Sequence, residues 1–140
     1  MQNAYFLSLE NMADGTNVPF DHVLNNLAFN EQGLIPVITQ DASTHAVLMM
    51  AWMNKASLVK TLDEQRMVYW SRSRETFWRK GESSGNTQQL VSLSVDCDGD
   101  ALLCQVVQTG AACHTGRANC FYLDVDYAHA KVYVRGDASV

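Results

Sequence analysis

The apolar positions of this chain fall mostly into short runs, and only two stretches carry them at helical spacing. LIPVITQ (34–40) and HAVLMMAWM (45–53) are joined by the turn-rich DAST, and together they predict a hairpin. VYWSRSR (68–74), QLVSLSV (89–95), ALLCQVVQ (101–108), FYLDVDY (121–127) and KVYV (131–134) are further strand candidates, rich in β-branched and aromatic residues and bounded by turn signals. The helical stretches are DHVLNNLAF (21–29) and NKASLVKTLDEQ (54–65). In the first, Asp21 stands as N-cap and Val23, Leu24, Leu27 and Ala28 form one stripe. In the second, Asn54 is the cap, and Leu58, Val59 and Leu62 are expected to pack on the sheet. Residues 1–17 show neither pattern and read as a weakly ordered arm. The predicted class is α+β: a mostly antiparallel sheet with a few short helices in a single domain.

Strand parity sharpens one region. Along QLVSLSVDCDGD, Val91, Leu93, Val95 and Cys97 share one face, and Ser92, Ser94, Asp96 and Asp98 share the other. Asp98-Gly99 is a two-residue hairpin signal, after which Asp100 starts the return strand. Three carboxylates then lie close together, an arrangement that needs a cation or a shared proton, and oxygen donors favour Mg²⁺ or Ca²⁺. An EF-hand loop is excluded, because the sixth and twelfth positions counted from Asp96 are Ala101 and Val107 rather than Gly and Glu. A bound divalent cation and a solvated acidic turn both remain open on these residues alone.

Length, charge and cysteine usage narrow the chemistry. The 140 residues suffice for one domain with a true core, and no apolar run reaches the length of a membrane span. The start MQNAYFLSLE lacks the basic and apolar regions of a signal peptide, so a cytoplasmic protein is expected. There the four cysteines favour metal binding or catalysis over disulfides. ACHTGRANC sets Cys113 and Cys120 seven apart with His114 beside the first. Thiolate and imidazole are zinc ligands, although this gap exceeds that of structural zinc knuckles. Cys97, Cys113 and Cys120 would leave a fourth position open, whereas His114 as a further ligand would close it. Cys104, inside ALLCQVV, reads as a packed core thiol, and His22, His45 and His129 as surface histidines.

The net charge of −5 argues against a nucleic-acid surface. Yet five of the ten Lys and Arg residues lie between positions 66 and 80, a local anion-attracting stretch. As a strand, VYWSRSR places Trp70, Arg72 and Arg74 on one face, so that two guanidiniums project together. RKGESSG adds Lys80, Glu82, Ser83 and Ser84 with glycine-flanked amides, polar groups suited to phosphate or ribose oxygens.

LIPVITQDASTHAVLMMAWMN, YWSRSRETFWRKGESSGNTQ, DCDGDALL and QTGAACHTGRANCFY, occurring in that order, closely resemble the phosphoribosyl-AMP cyclohydrolase family of histidine biosynthesis. The resemblance spans about residues 30 to 124. Ala111 in place of an expected Pro, Trp52 in place of a common Tyr, and the additional Cys104 depart from the pattern without touching a ligand position. A cyclohydrolase domain over residues 18–140 is implied, with one reaction and no appended pyrophosphohydrolase domain. That reaction is hydrolysis between N1 and C6 of the adenine ring of 1-(5-phosphoribosyl)-AMP, which gives the formimino-carboxamide ribonucleotide. The resemblance further implies an intertwined homodimer whose zinc is held by Cys97, Cys113 and Cys120 from both subunits. It also implies magnesium at Asp96, Asp98 and Asp100. Three thiolates make a weakly acidic zinc, so a base is useful, and His114 is the candidate, with an indirect hydrogen-bonding role as the alternative. The substrate's two phosphates account for the basic stretch. A reading of another class is a non-catalytic, zinc-stabilised dimer whose basic strand binds an anionic partner; it expects a closed four-ligand zinc site and tolerance of changes at His114 and the aspartates so long as the fold survives.

Overall fold

The hairpin expected at 34–53 forms half of the main sheet. In the computed structural model, which describes residues 3–139, β1 (Ile35–Asp41) pairs antiparallel with β2 (Val47–Met53). Residues 1 and 2, the start of the expected arm, lie outside the described residues. β5 (Gln88–Val95) and β6 (Leu102–Gln108) form a second antiparallel pair, and β6 joins β1 in parallel to give the order β2-β1-β6-β5. The expected class is therefore found, with one parallel pair at the centre of a mostly antiparallel sheet. Ile35, Val37 and Thr39 alternate inward on β1, as do Leu102, Cys104 and Val106 on β6.

Two bulges alter this alternation. On β2, Thr39 pairs with Met49 and Gln40 with Val47, so Leu48 is the extra residue and both Leu48 and Met49 are buried. On β5, Leu90 faces Val106 and Ser92 faces Gln105, which leaves Val91 unpaired and 55% exposed. The expected face of Val91, Leu93, Val95 and Cys97 is thus corrected. Leu93 and Val95 pack against the core, Val91 does not, and the strand ends before Cys97.

α3 (Lys55–Glu64) is the helix foreseen after the hairpin. Asn54 Oδ1 accepts from the Ser57 amide at 2.8 Å, and Ser57 Oγ accepts from the Asn54 amide at 2.9 Å, a reciprocal cap on two otherwise orphaned donors. Leu58 is buried and Leu62 half-buried, but Val59 is 38% exposed and Thr61 takes the inward place. At one hundred degrees per residue the sheet-facing stripe is 54, 57, 58 and 61, and Val59 falls off its edge. α2 runs Phe20–Asn26 with Pro19 at its N-cap, so Asp21 lies inside the first turn rather than capping it. There its carboxylate still suits the positive end of the helix dipole.

Three features lay outside the expectation. The N-terminal segment carries α1 (Ala4–Leu9), whose buried residue Phe6 joins the core while Tyr5 and Leu9 pack against it. β3 ends at Ser71 (Val68–Ser71), residues 72–75 turn, and β4 (Thr76–Arg79) returns against it. The turn carries Glu75 at φ +50°, and it replaces the second half of the long strand expected over 68–74. β7 (Leu123–Asp126) and β8 (Lys131–Val134) form a separate hairpin in which every residue but Asp126 is exposed.

The core also contains a polar chain. Tyr69 Oη donates to Gln88 Oε1 at 2.7 Å and takes the Thr39 hydroxyl at 2.7 Å, and Gln88 Nε2 reaches Gln108 Oε1 at 2.8 Å. All three of Thr39, Tyr69 and Gln88 are fully buried, and burial drives the Tyr69 phenol far above its ordinary range. No helix among the described residues is long and apolar enough to cross a membrane.

Candidate functional site

The acidic turn is longer than the two-residue hairpin expected at Asp98-Gly99. Six residues, 96–101, separate β5 from β6, closed by the Asp96 amide on the Ala101 carbonyl at 3.0 Å. The Asp96 carboxylate sits inside this turn and accepts from the amides of Asp100 at 2.8 Å and Ala101 at 3.2 Å. Burial opposes its ionisation, but these amides and that of Asp98 prevail and hold it below the usual carboxylate value. Asp100 moves the other way, because its side chain bonds to Asp96 and the neighbouring negative charges disfavour its own. The two carboxylates thus face one another with opposed shifts, an arrangement that a cation would relieve.

The ligand atoms of Asp96, Cys97 and Asp98 all lie within 4.8 Å of one another. The thiol and the two carboxylates therefore converge, whereas strand parity had put them on opposite faces. Leaving the strand frees the backbone from the two-residue period, and Cys97 becomes exposed.

Cys113 and Cys120 occupy a second loop, between β6 and β7. The Cys120 amide donates to the Leu48 carbonyl at 2.8 Å, which ties the loop to β2, and the Gly116 amide closes a turn on the Cys113 carbonyl at 3.0 Å. Gly116 has φ +86°, and a Cβ there would come within 2.3 Å of Ser139 Oγ, so the bend requires glycine. Desolvation raises the Cys113 thiol, but bonds from the Thr115 hydroxyl (3.0 Å) and amide, from Cys120, and the charge of Arg117 outweigh it and leave it below the ordinary thiol value. Burial and then the neighbouring Cys113 push Cys120 up. Two adjacent thiols, one primed to lose its proton, form a soft donor pair of the kind zinc takes. Among the described residues, Cys97 belongs to a metal-sized cluster with Asp96 and Asp98, and none unites it with Cys113 and Cys120. Cys104 is fully buried and its thiol is pushed up to about 12 by desolvation, as a core thiol should be.

A cleft of about 500 Å³ opens beside the cysteine loop. Cys113 and the exposed His114 line one wall; Arg74, Lys80, Glu82, Ser83 and Ser84 line the other. Five of the seven expected substrate-binding residues therefore meet the expected catalytic histidine. Lys80 lies over the Trp78 ring at 5.2 Å, and burial lowers its ammonium from the usual value against the pull of Cys120 and Cys113. Gly81 adopts φ +82° and packs so closely on Asn86 and Thr87 that a Cβ would meet the Asn86 backbone at 2.4 Å, which folds the 79–85 loop back on itself.

Trp70 and Arg72 are elsewhere. They line a neighbouring cleft of about 590 Å³ with Trp52 and Ser73, where Arg72 stacks 4.9 Å from the Trp52 ring. The expectation that Arg72 and Arg74 project together from one strand face is corrected: both lie in the turn after Ser71, and they part to either side. Trp78, on the unforeseen β4, contributes to both clefts. Trp52, Trp78, Asn86 and Thr115 were given no site role from sequence. Only Thr115 carried a local signal, a hydroxyl two residues beyond a candidate thiolate. Arg117, also unassigned, is committed to the chain end, donating to the carbonyls of Arg135 at 2.9 Å and Gly136 at 3.1 Å while stacking on Tyr122.

The family model for phosphoribosyl-AMP cyclohydrolase matches residues 49–122, the span that holds both loops and, apart from Ser139, the residues lining both clefts. A protein of that name from Roseobacter denitrificans is 54% identical over 121 residues, covering 86% of this chain and 93% of its own. Its namesake from Hydrogenovibrio crunogenus is 48% identical over 131 residues, covering 94% and 89%. Another, from a Ruegeria species, reaches 62% over 96 residues, covering 69% and 74%. Agreement of this extent, running through the acidic turn and the cysteine loop alike, means that the chain belongs to the phosphoribosyl-AMP cyclohydrolase family.

Proposed function

We propose that this protein hydrolyses the bond between N1 and C6 of the adenine ring in 1-(5-phosphoribosyl)-AMP, a step of histidine biosynthesis, in the cleft between the 79–85 loop and the cysteine loop. The observation that carries this reading is that one cleft gathers Cys113 and His114 on one side and Arg74, Lys80, Ser83 and Ser84 on the other. A bis-phosphorylated nucleotide needs cations and hydroxyls at its ends and a water-activating group at its ring. Arg74 and Lys80 supply the charge for one phosphate, and the serine hydroxyls complete its hydrogen bonds. Glu82 repels phosphate and suits a ribose hydroxyl. The Trp52, Trp70 and Arg72 cleft lies beside it and offers aromatic faces and a second guanidinium.

The donor chemistry fits zinc at Cys97, Cys113 and Cys120, and magnesium at Asp96, Asp98 and Asp100. When bound, the zinc would supply a Lewis acid that makes water nucleophilic near neutral pH, and the magnesium a compact positive charge for a phosphate or a water. His114, exposed to the cleft one residue after Cys113, accepts the proton of the attacking water and returns one to the departing ring nitrogen. The Thr115 hydroxyl donates to Cys113 Sγ at 3.0 Å and favours its thiolate form.

The same residues support a homodimer. Among the described residues no metal-sized group joins Cys97 to Cys113 and Cys120, which favours a three-thiol set completed by a second copy. The β7–β8 hairpin exposes Leu123, Val125, Val132, Tyr133 and Val134, apolar surface that a partner subunit would cover. Four thiols without a disulfide suit a cytoplasmic setting. The test is incubation with phosphoribosyl-AMP while following the absorbance change of ring opening, with and without chelator. Metal-dependent turnover that is lost in His114→Ala is expected; no turnover by zinc-loaded protein would overturn the assignment and leave anion binding by a zinc-stapled dimer.

A further inference from the structure

We propose that Phe6 is a positioning residue for the acidic turn: α1 presses its ring onto Gly99 and so keeps Asp96, Cys97 and Asp98 convergent. This rests on the reading of that turn as a metal-ligand loop. α1 and α2 lie outside the span that matches the family model, yet Phe6 of α1 and Ala28, two residues after α2, both touch the turn. Phe6 is 5% exposed, and a Cβ on Gly99 would come within 2.1 Å of its ring carbon Cε2, so ring and turn backbone are in direct contact and only glycine fits. The Ala28 amide just after α2 also donates to the Gly99 carbonyl at 2.8 Å. The turn residue is thereby gripped by a ring and a hydrogen bond.

The grip has its own support. Asn3 Oδ1 caps α1 by accepting from the Tyr5 amide at 2.9 Å, while its Nδ2 donates to the Asn26 carbonyl at 2.8 Å and locks α1 to α2. A groove of about 370 Å³, lined by Phe6, Leu9, Val23, Val95, Asp96 and Cys97, runs between the helices and the turn, so the ring contact is not backed by close packing all along the turn. With the ring gone, Gly99 at φ +70° has the conformational freedom to leave its position and carry the carboxylates with it.

The test compares wild type, Phe6→Ala, Phe6→Leu and Leu62→Ala, the last a core truncation on α3, which packs on β2 and β3. Amide hydrogen exchange is read at Asp100 and Ala101, whose amides bond to the Asp96 carboxylate, in metal-free protein; Mn²⁺ binding is titrated in parallel. Phe6→Ala is expected to speed both amides about tenfold and weaken Mn²⁺ about tenfold, Phe6→Leu to restore both, and Leu62→Ala to change neither. Unchanged exchange in folded Phe6→Ala overturns the proposal. Wild type that binds no Mn²⁺ refutes the metal reading, while the exchange data still decide whether Phe6 braces the turn. Should Phe6→Ala not fold, Asn3→Ala, which frees α1 without cutting the core, must speed the same two amides several-fold, and its failure to do so is equally decisive.

Discussion

Lys80 Nζ donates to the carbonyl of Ala112 at 2.5 Å, joining the basic loop after β4 directly to the residue before Cys113. The two walls of the cleft are therefore one connected unit across 32 positions of sequence. Lys80 lines the cleft and ties the cysteine loop to the 79–85 loop. Lys80→Met removes a charge-assisted bond worth about 1.5–3 kcal/mol, so kcat/KM is expected to fall roughly 10- to 100-fold, measured by ring-opening kinetics. A variant with unchanged kcat/KM would remove Lys80 from the cleft's function.

The four cysteines divide into two kinds. Cys113→Ser and Cys120→Ser should each lose bound zinc and nearly all activity, since a hydroxyl is a poor replacement for a thiolate ligand. Cys104→Ser should keep zinc and turnover but lower stability by about 1–3 kcal/mol, the cost of a hydroxyl in an apolar site. Because burial lifts the Cys104 thiol to about 12, almost no thiolate exists at neutral pH. Mass spectrometry after brief iodoacetamide treatment of metal-free folded protein should find Cys97 and Cys120 alkylated and Cys104 untouched; rapid modification of Cys104 would contradict its packing.

Asp98→Asn should weaken the response to magnesium with little loss of zinc, because hard carboxylate and soft thiolate donors serve different ions. Metal content by atomic spectroscopy beside a magnesium titration of activity separates the two. The convergence of Cys97 with Asp96 and Asp98 makes this a strict test: zinc lost together with Asp98 would make the cluster one mixed site.

Mixing inactive Cys97→Ser with inactive Cys120→Ser protein should recover part of the activity. In a mixed dimer one site carries both defects and the other neither, provided each zinc draws on both subunits. Background activity after subunit exchange has been demonstrated, by light scattering of tagged species for example, would put all three thiols in one chain.

Tyr69→Phe deletes the hydroxyl that links Thr39 to Gln88 and leaves both partners buried without it. A loss of about 1–3 kcal/mol is expected in denaturant unfolding, from stranded polar groups rather than lost volume. Stability equal to wild type would mean that Gln88 and Thr39 find other partners.

The sequence by itself determined the kinds of element and the kinds of donor. Apolar runs at 34–40 and 45–53 about the turn DAST specified the hairpin, Asn54 specified the start of α3, and the cysteines, aspartates and basic stretch specified the chemistry and the family. These are local matters, because side-chain period, capping and ligand type are properties of a few adjacent residues. The tertiary structure decided which residues face one another. The unpaired Val91 follows from the register β6 imposes on β5, and no property of QLVSLSV announces it. Arg72 and Arg74 part because the chain must turn back to lay β4 against β3, and the extra turn residues break the period-two rule that had joined them. Cys97 meets Asp96 and Asp98 because the turn is six residues long, and α1 exists as an ordered element because Gly99 leaves space for the ring of Phe6. In each case the deciding partner lies far away in sequence, and a period read along one segment carries no information about the segment it will pack against.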